Sequence, residues 1–205
     1  MLARRRKCAA TSAAASRQME VILIGPIGAG KSTLGKLVAD ALGLPQVSLD
    51  DIRFEYYQEI GYDESIANQR YATDGFWGLY RYWKPFEAHA VERVLTEHTN
   101  SVIDLGAGHS VYEDEALLAR VKQALARHPN VILILPSADL ATSLDVLRDR
   151  RPSLGEITPD INEHFLTHRS NYELATFIVY TADRTAEETC AQILRRIADR
   201  DAPSR

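Results

Sequence analysis

Short apolar runs recur along the chain and predict β-strands. The first, at 21–24, reads Val-Ile-Leu-Ile without a polar interruption, as expected of a strand buried on both faces. Further runs lie at 46–49, 101–104, 130–135 and 176–180. Between the runs, residues with helical spacing or composition lie at 33–42, 85–97, 113–127, 140–148 and 186–198. Strands that alternate with helices of this length predict a parallel sheet covered by helices on both faces, with right-handed connections.

Residues 53–84 depart from this alternation because they are crowded with aromatic side chains. The cluster contains Phe54, Tyr56, Tyr57, Tyr62, Tyr71, Phe76, Trp77, Tyr80, Tyr82 and Trp83. A segment this long between two strands favours a helical insert over a loop. We expect most of the rings to form the insert's own small core and some to line a substrate pocket, since pockets are largely apolar and aromatic.

Length and composition indicate one globular domain. The chain has 205 residues, of which 45% are hydrophobic and 25% are charged. No run approaches the ~18–20 apolar residues that a spanning helix needs, so we predict no membrane segment. The two cysteines, Cys8 and Cys190, lie far apart, which disfavours a disulfide framework and favours a reducing, cytoplasmic location. The sequence carries no sign of an oligomeric state.

The net charge of −4 is unevenly distributed. Residues 1–18 hold five basic residues and no acid, so the rest of the chain holds 19 basic residues against 28 acidic ones, a net charge of −9. A body this acidic argues against a nucleic-acid partner, because neutralisation of phosphates drives such binding. Residues 1–18 have no apolar periodicity, and we predict a disordered extension followed by one domain at 19–205.

The strongest motif is a glycine-rich loop between the first strand and the first helix. Residues 25–32 match G-x-x-x-x-G-K-[ST] in full, with the flanking strand and helix that a phosphate-binding loop requires. The glycines let backbone N–H groups turn towards a phosphate, and the helix N-terminus adds its positive dipole end. In this interpretation Lys31 reaches the β- and γ-phosphates of ATP, and Ser32 holds Mg²⁺. The predicted nucleotide-binding residues of the loop are Gly25, Gly28, Ala29, Gly30, Lys31 and Ser32.

The opening G-P-I-G-A-G-K-S-T-L-G-K, followed by L-G-L-P and an acidic pair, resembles the shikimate kinase family. The likeness runs over nearly all of residues 20–198. It implies an α/β fold of the P-loop NTPase type, a three-layer sandwich with a five-stranded parallel sheet, a helical substrate-binding insert at 53–84 and a lid at 148–165. It also implies transfer of the γ-phosphoryl group from ATP, with Mg²⁺, to a hydroxyl group of a small molecule.

The resemblance assigns Asp50, nineteen residues after Lys31, to the acid that faces the acceptor hydroxyl. Asp50 would orient or deprotonate that hydroxyl. Where the family usually has D-x-D, this chain has Ser48 at the first position and an extra acid at Asp51. Asp51 could share the work or could cap the following helix.

The segment Ile103-Asp104-Leu105-Gly106-Ala107-Gly108 resembles the family's third strand and its run of three glycines. Asp104 would hold a magnesium-bound water, as an acid at a strand's carboxyl end can. Gly106, Ala107 and Gly108 would approach the acceptor through their backbone, although Ala107 replaces the central glycine. The alternative is a plain turn between a strand and a loop.

Four further sets of basic residues, together with Thr33, are assigned by the same resemblance. Among Arg148, Arg150 and Arg151, the family's lid arginine best matches Arg151, just before Pro152. Arg169, in R-S-N-Y, matches an arginine that binds the acceptor's carboxylate, and Lys84 falls where the family has a second such arginine. Arg184 falls where this group of proteins often contacts adenine, and Thr33 where it contacts the α-phosphate.

Two classes of function stay open on the sequence. The first is a small-molecule kinase whose acceptor is shikimate or, given the departures at Ser48, Lys84 and Ala107, a nucleotide, a sugar acid or an antibiotic. The second is a nucleotide-binding regulatory protein that keeps the loop without transfer chemistry. Retention of Asp50, Asp104 and the lid arginines favours the first class.

Overall fold

The computed structural model describes residues 19–201, so the predicted extension at 1–18 lies outside the described residues. Five parallel strands form one sheet: β1 (Val21–Ile24), β2 (Gln46–Ser48), β3 (Val102–Asp104), β4 (Val131–Leu135) and β5 (Phe177–Tyr180). Their order across the sheet is β2-β3-β1-β4-β5, with every neighbouring pair parallel. The predicted α/β fold with a five-stranded parallel sheet is confirmed.

Eight α-helices accompany the strands in the described part of the chain. They are α1 (Lys31–Leu42), α2 (Leu49–Glu59), α3 (Glu64–Glu97), α4 (Glu115–Leu125), α5 (Leu140–Arg150), α6 (Ile161–Thr167), α7 (Arg169–Leu174) and α8 (Ala186–Asp201). Short 3₁₀ helices lie at Ala107–Ser110 and Pro152–Glu156. Helix α1 packs against α8, and α3 packs against α2 and α4.

The aromatic segment is helical and occupies most of α2 and the first part of α3. Helix α3 is bent at Gly75, whose φ of 63° and ψ of −155° interrupt the helical path. Its first turn is capped by Asp63, whose carboxylate accepts hydrogen bonds from the backbone N–H groups of Ser65 and Ile66. The bend separates the amino-terminal part of α3 from the part that packs over the sheet.

The core lies on both faces of the sheet, as the uninterrupted apolar runs predict. All four residues of β1 and all five of β4 are buried. A second, smaller apolar cluster joins the insert to the lid segment and is formed by Tyr80, Ala107, Val111, Ile161 and Phe165. Through this second cluster the aromatic insert packs against α6.

The parallel pairing brings the carboxyl ends of the strands to one edge. Leu23 of β1 pairs with Asp104 of β3 and with Ile132 of β4, so the glycine-rich loop after β1 lies between the ends of these two strands. Ligands of open parallel sheets bind at this edge, where strand order reverses.

Candidate functional site

The glycine-rich loop adopts a conformation that depends on its glycines. Gly25, Gly28 and Gly30 have φ values of 140°, 82° and 97°, in a region that side chains with a Cβ rarely adopt. A Cβ on Gly25 would also overlap the backbone oxygen of Ile134 on β4. Gly30 caps α1 without a side-chain hydrogen bond, so the first N–H groups of the helix stay available to an anion.

Lys31 lies buried beneath this loop. Its Nζ donates hydrogen bonds to the backbone oxygens of Gly25 and Pro26, at 2.9 and 3.0 Å. Burial lowers the pKa of its ammonium to about 8, against the opposing attraction of Asp50 and Asp104. The ammonium is thus held by loop carbonyls within reach of the phosphate-binding turn.

Asp104 is the centre of a buried polar network at the end of β3. Its carboxylate accepts hydrogen bonds from Ser32 Oγ at 2.9 Å, Gln46 Nε2 at 2.8 Å and Ser48 Oγ at 3.1 Å. Ser48, which stands where the family usually has its first acid, therefore serves Asp104 as a donor. The network fixes the Ser32 hydroxyl and the Asp104 carboxylate next to each other, which is the donor set that a magnesium ion with several waters uses.

Three adjoining cavities run along the carboxyl edge of the sheet. The first, of about 320 Å³, lies over the amino-terminal end of α1 and is lined by Gly28, Ala29, Gly30, Thr33, Leu34, Arg150, Thr181, Arg184, Ala186 and Thr189. The second, of about 340 Å³, is lined by Ile27, Gly28, Gly30, Lys31, Ser32, Thr33, Asp50, Ala107, Arg150 and Arg151. We call them the nucleotide cavity and the phosphate cavity.

The third cavity, of about 240 Å³, lies between the aromatic insert and the lid segment, and we call it the acceptor cavity. It is lined by Ile27, Asp50, Arg53, Phe76, Tyr80, Trp83, Glu87, Ala107, Gly108 and Phe165. Rings of the aromatic segment therefore form one wall of a cavity, as the sequence predicts for some of them. Ile27, Asp50 and Ala107 line both this cavity and the phosphate cavity.

Asp50 occupies the border between the two cavities. It lies in the first turn of α2, its side chain is 53% exposed, and Arg53 one turn later donates to its Oδ1 at 3.1 Å. The neighbouring acid, Asp51, is exposed and lines neither cavity. Of the two acids, the structure brings Asp50 to the place where a phosphate and an acceptor would meet.

Gly106 and Gly108 leave room for carboxylates. A Cβ on Gly106 would overlap Asp50 Oδ1, and a Cβ on Gly108 would overlap Glu87 Oε1. The family resemblance assigns these glycines to close backbone contact with an acceptor. The structure gives a steric reason for them as well, because two side-chain carboxylates pack against their α-carbons.

Lys84 is buried rather than directed freely into the acceptor cavity. Its Nζ donates to the backbone oxygens of Gly108 and Val111, at 2.9 and 3.0 Å, and lies 2.5 Å from Glu87 Oε2. The ammonium also lies 3.9 Å from the centre of the Tyr80 ring. Two N–H donors of the ammonium are therefore used by backbone oxygens, and its charge is paired with that of Glu87.

Arg169 does not line any of the three cavities. In the first turn of α7, its guanidinium pairs with Glu115, and its Nη1 lies 3.0 Å from Glu173 Oε1. Its side chain is 52% exposed on that outer surface. The structure therefore does not bring this sequence-assigned carboxylate ligand to Asp50.

The lid arginines have different environments. Arg150 donates through Nη1 to the backbone oxygen of Gly28 at 3.0 Å, and both Arg150 and Arg151 line the phosphate cavity. Arg148 instead pairs with Asp160 at 2.8 Å. Arg184 lines the far end of the nucleotide cavity and donates to the backbone oxygen of Tyr180 at 3.1 Å.

Asn162 joins the lid segment to the glycine-rich loop. Its buried side chain accepts a hydrogen bond from the N–H of Ile27 at 3.1 Å and donates to the oxygen of the same residue at 3.2 Å. This paired contact spans 135 positions of sequence. No sequence pattern marks Asn162 or Arg53, whereas Trp83, which lines the acceptor cavity with Arg53, belongs to the aromatic cluster that the sequence singles out.

The chain is similar to shikimate kinases over most of its length. The model of the shikimate kinase family matches residues 27–198. The shikimate kinase of Streptomyces avermitilis is 30% identical over 186 residues, which cover 89% of this chain and 97% of the relative. The shikimate kinase of Corynebacterium efficiens is 28% identical over 87% of this chain and 96% of the relative.

Solved structures share the fold. Shikimate kinase from Acinetobacter baumannii, determined in complex with shikimate, has a TM-score of 0.61 at 19% identity and covers 90% of this chain and 96% of its own. Shikimate kinase from Aquifex aeolicus has a TM-score of 0.59 at 21% identity and covers 91% of this chain and 100% of its own. Among the described residues, no helix is both long and apolar enough to cross a membrane.

Proposed function

The chain belongs to the shikimate kinase family, and we propose that it transfers the γ-phosphoryl group of Mg²⁺-ATP to a hydroxyl group of shikimate. The observation that carries the proposal is the position of Asp50, which lines both the phosphate cavity and the acceptor cavity. An acid shared by the two cavities can hold the attacking hydroxyl in line with a phosphate on the glycine-rich loop.

The nucleotide would lie along the first two cavities. The free N–H groups at the start of α1 and the Lys31 ammonium would bind the phosphates, with Thr33 beside them and Arg184 near the base. The carbonyl oxygens that hold Lys31 Nζ would give way to phosphate oxygens, which are stronger partners because they are charged.

The residues at the end of β3 fit a magnesium ion. Ser32 would bind it through the hydroxyl, and Asp104 would hold one of its waters, since the two oxygens already lie 2.9 Å apart. A bound Mg²⁺ neutralises charge that develops on the phosphate oxygens during transfer.

In the transfer step, the acceptor oxygen forms a bond to the γ-phosphorus as the bond from that phosphorus to the bridging oxygen of ADP breaks. Asp50 orients the hydroxyl and takes its proton. Lys31 and the guanidinium groups of Arg150 and Arg151 stabilise the charge on the transferred group. The lid segment excludes water, which otherwise would compete as acceptor.

A second acceptor is supported by one observation. Lys84 is paired with Glu87 and two backbone oxygens, and Arg169 is paired with Glu115, so the two basic residues that the family resemblance assigns to a carboxylate do not line the acceptor cavity. A hydroxyl compound without a carboxylate, such as a hydroxylated antibiotic, would then replace shikimate with the same transfer chemistry. We also propose a cytoplasmic location, supported by the distant cysteines of the sequence.

Release of ADP tests the proposal. The wild type is assayed with Mg²⁺-ATP against shikimate, sugar acids, nucleosides and hydroxylated antibiotics. We expect shikimate to raise ADP release far above the rate without acceptor, and Lys31→Ala to abolish the increase. If only another acceptor raises ADP release, the proposed transfer chemistry stands and that compound, not shikimate, is the acceptor. A rate that no acceptor raises would contradict the proposed function.

A further inference from the structure

Arg53 has unused hydrogen-bonding capacity beside the catalytic carboxylate. It lies in α2, lines the acceptor cavity and is 25% exposed at its side chain. Its Nη1 donates to Asp50 Oδ1 at 3.1 Å, while its Nε is buried without a partner. The guanidinium lies 4.9 Å from the centre of the Phe54 ring and 5.3 Å from that of Trp83, so two aromatic rings hold its plane.

Trp83 presents a second unmet donor on the same wall. Its indole Nε1 is buried and has no hydrogen-bond partner among the described residues. Buried N–H groups are almost always paired in folded proteins. The two unpaired donors show that the polar groups of this wall are not satisfied within the described residues, and an acceptor with oxygen atoms would supply partners once these side chains turn towards the cavity.

The other basic residues do not compete for such a ligand. Among the described residues that line the acceptor cavity, Arg53 alone carries a positive charge. Lys84 forms an ion pair with Glu87 and donates hydrogen bonds to two backbone oxygens, so its charge neutralises that of Glu87. Arg169 is committed to Glu115 and Glu173 on the outer surface.

A guanidinium suits this place better than an ammonium would. Its planar fork can donate to Asp50 through one nitrogen and to a second oxyanion through the others. The positive charge of the guanidinium would offset the repulsion between Asp50 and a negatively charged acceptor.

We propose that Arg53 binds the carboxylate of the acceptor and so makes the cavity selective for an anionic hydroxyl compound, a role that the family resemblance gives to Arg169. This inference rests on the proposed function for the identity of the cavity as the acceptor site. Arg53 also links acceptor binding to the orientation of Asp50, because one guanidinium contacts both groups.

Binding measured without nucleotide tests the inference separately from transfer. Tryptophan fluorescence, to which Trp83 in the cavity wall contributes, is titrated with shikimate and with its neutral methyl ester. The proteins are the wild type, Arg53→Gln, Arg53→Lys and Arg169→Gln. Arg81→Gln, which removes an exposed arginine of the same insert, is the matched control.

We expect the wild type and Arg81→Gln to bind the acid about 10- to 100-fold more tightly than the ester, as a charge-assisted pair predicts. Arg53→Gln should lose this preference, Arg53→Lys should keep part of it, and Arg169→Gln should keep it. A preference that survives in Arg53→Gln, is lost in Arg169→Gln, or is missing from the wild type would overturn the inference. If the wild type prefers the acid through Arg53 but releases no ADP with shikimate, the proposed function is contradicted. Binding of a carboxylate by Arg53 would still be supported.

Discussion

At the scale of single residues, the site depends on two charged groups with different surroundings. Lys31 is buried under the glycine-rich loop, and Asp50 is half-exposed where the phosphate and acceptor cavities meet. Burial makes the charge of Lys31 sensitive to pH. Because Asp50 lines both cavities, a hydroxyl group of an acceptor can reach its carboxylate. Gly106 has no Cβ, and the Asp50 carboxylate occupies the space that a Cβ would take.

Replacement of Asp50 tests its role in transfer. We expect Asp50→Asn to lower kcat by about 10²- to 10⁴-fold, as removal of a proton acceptor does, with KM for ATP changed less than about threefold. Steady-state kinetics measures both constants. Asp51→Asn is the matched control, because Asp51 is exposed and lines neither cavity. Equal losses in the two variants, or a loss in ATP affinity alone, would contradict the catalytic role of Asp50.

The lowered pKa of Lys31 predicts how ATP binding depends on pH. The free enzyme holds the ammonium charged below its pKa of about 8 and loses the charge as the pH rises through that value. Phosphates bind the charged form, so kcat/KM for ATP should fall up to tenfold per pH unit above about pH 8. Bound phosphates favour the ammonium, and kcat should therefore fall only at higher pH.

Initial rates between about pH 7 and pH 10 separate the two constants. KM for the acceptor at saturating ATP is the internal control, because Lys31 does not line the acceptor cavity. A value of kcat/KM for ATP that stays constant through this range would show that Lys31 keeps its ordinary pKa.

At the scale of elements, the strands could be predicted from sequence and the lid contacts could not. Each predicted strand is observed to within a residue or two, because strands buried on both faces need continuous apolar runs. The paired hydrogen bonds of Asn162 with Ile27 have no such pattern, since a single asparagine gives no periodic signal. Long-range pairing of single side chains is fixed by packing and not by periodicity.

The directions in which the side chains of Lys84 and Arg169 point could not be predicted from the sequence either. Lys84 lies one helical turn before Glu87, and this spacing allows their ion pair once the face of α3 is buried. Arg169 turns outward because Glu115, from the start of α4, and Glu173, one turn later in α7, both meet it there. The sequence identified the residue types of the site, while the helix faces decided which of them reach a cavity.

The contact of Asn162 with Ile27 makes the closure of the lid testable. Asn162→Ala removes both hydrogen bonds and leaves the backbone groups of Ile27 unpaired, which costs about 1–3 kcal/mol. We expect a lower midpoint of thermal unfolding, a higher KM for ATP and more ADP release without acceptor. Thr167→Ala, at the exposed end of α6, is the control for the loss of helix stability alone. Unchanged ATP affinity in Asn162→Ala would contradict a role for this contact at the glycine-rich loop.

At the scale of the whole molecule, the order of the strands sets the order of the cavities. The loop after central β1 lies between the ends of β3 and β4, so the proposed phosphate site lies in the middle of the sheet edge. The segment after β5 closes the nucleotide cavity on one side, and the aromatic insert after β2 closes the acceptor cavity on the other. In the proposed function, a donor and an acceptor bound in these cavities would meet at Asp50, which lines both the phosphate and the acceptor cavity.

The fate of the γ-phosphoryl group tests this account most directly. Phosphorus NMR follows Mg²⁺-ATP and shikimate with the wild type, and Lys31→Ala serves as the inactive reference. We predict a new phosphomonoester signal that grows in step with ADP, with little inorganic phosphate, because the hydroxyl group next to Asp50 takes the phosphoryl group in place of water. ADP formed together with inorganic phosphate, and no phosphomonoester, would contradict the account and favour a nucleotide hydrolase on the same fold.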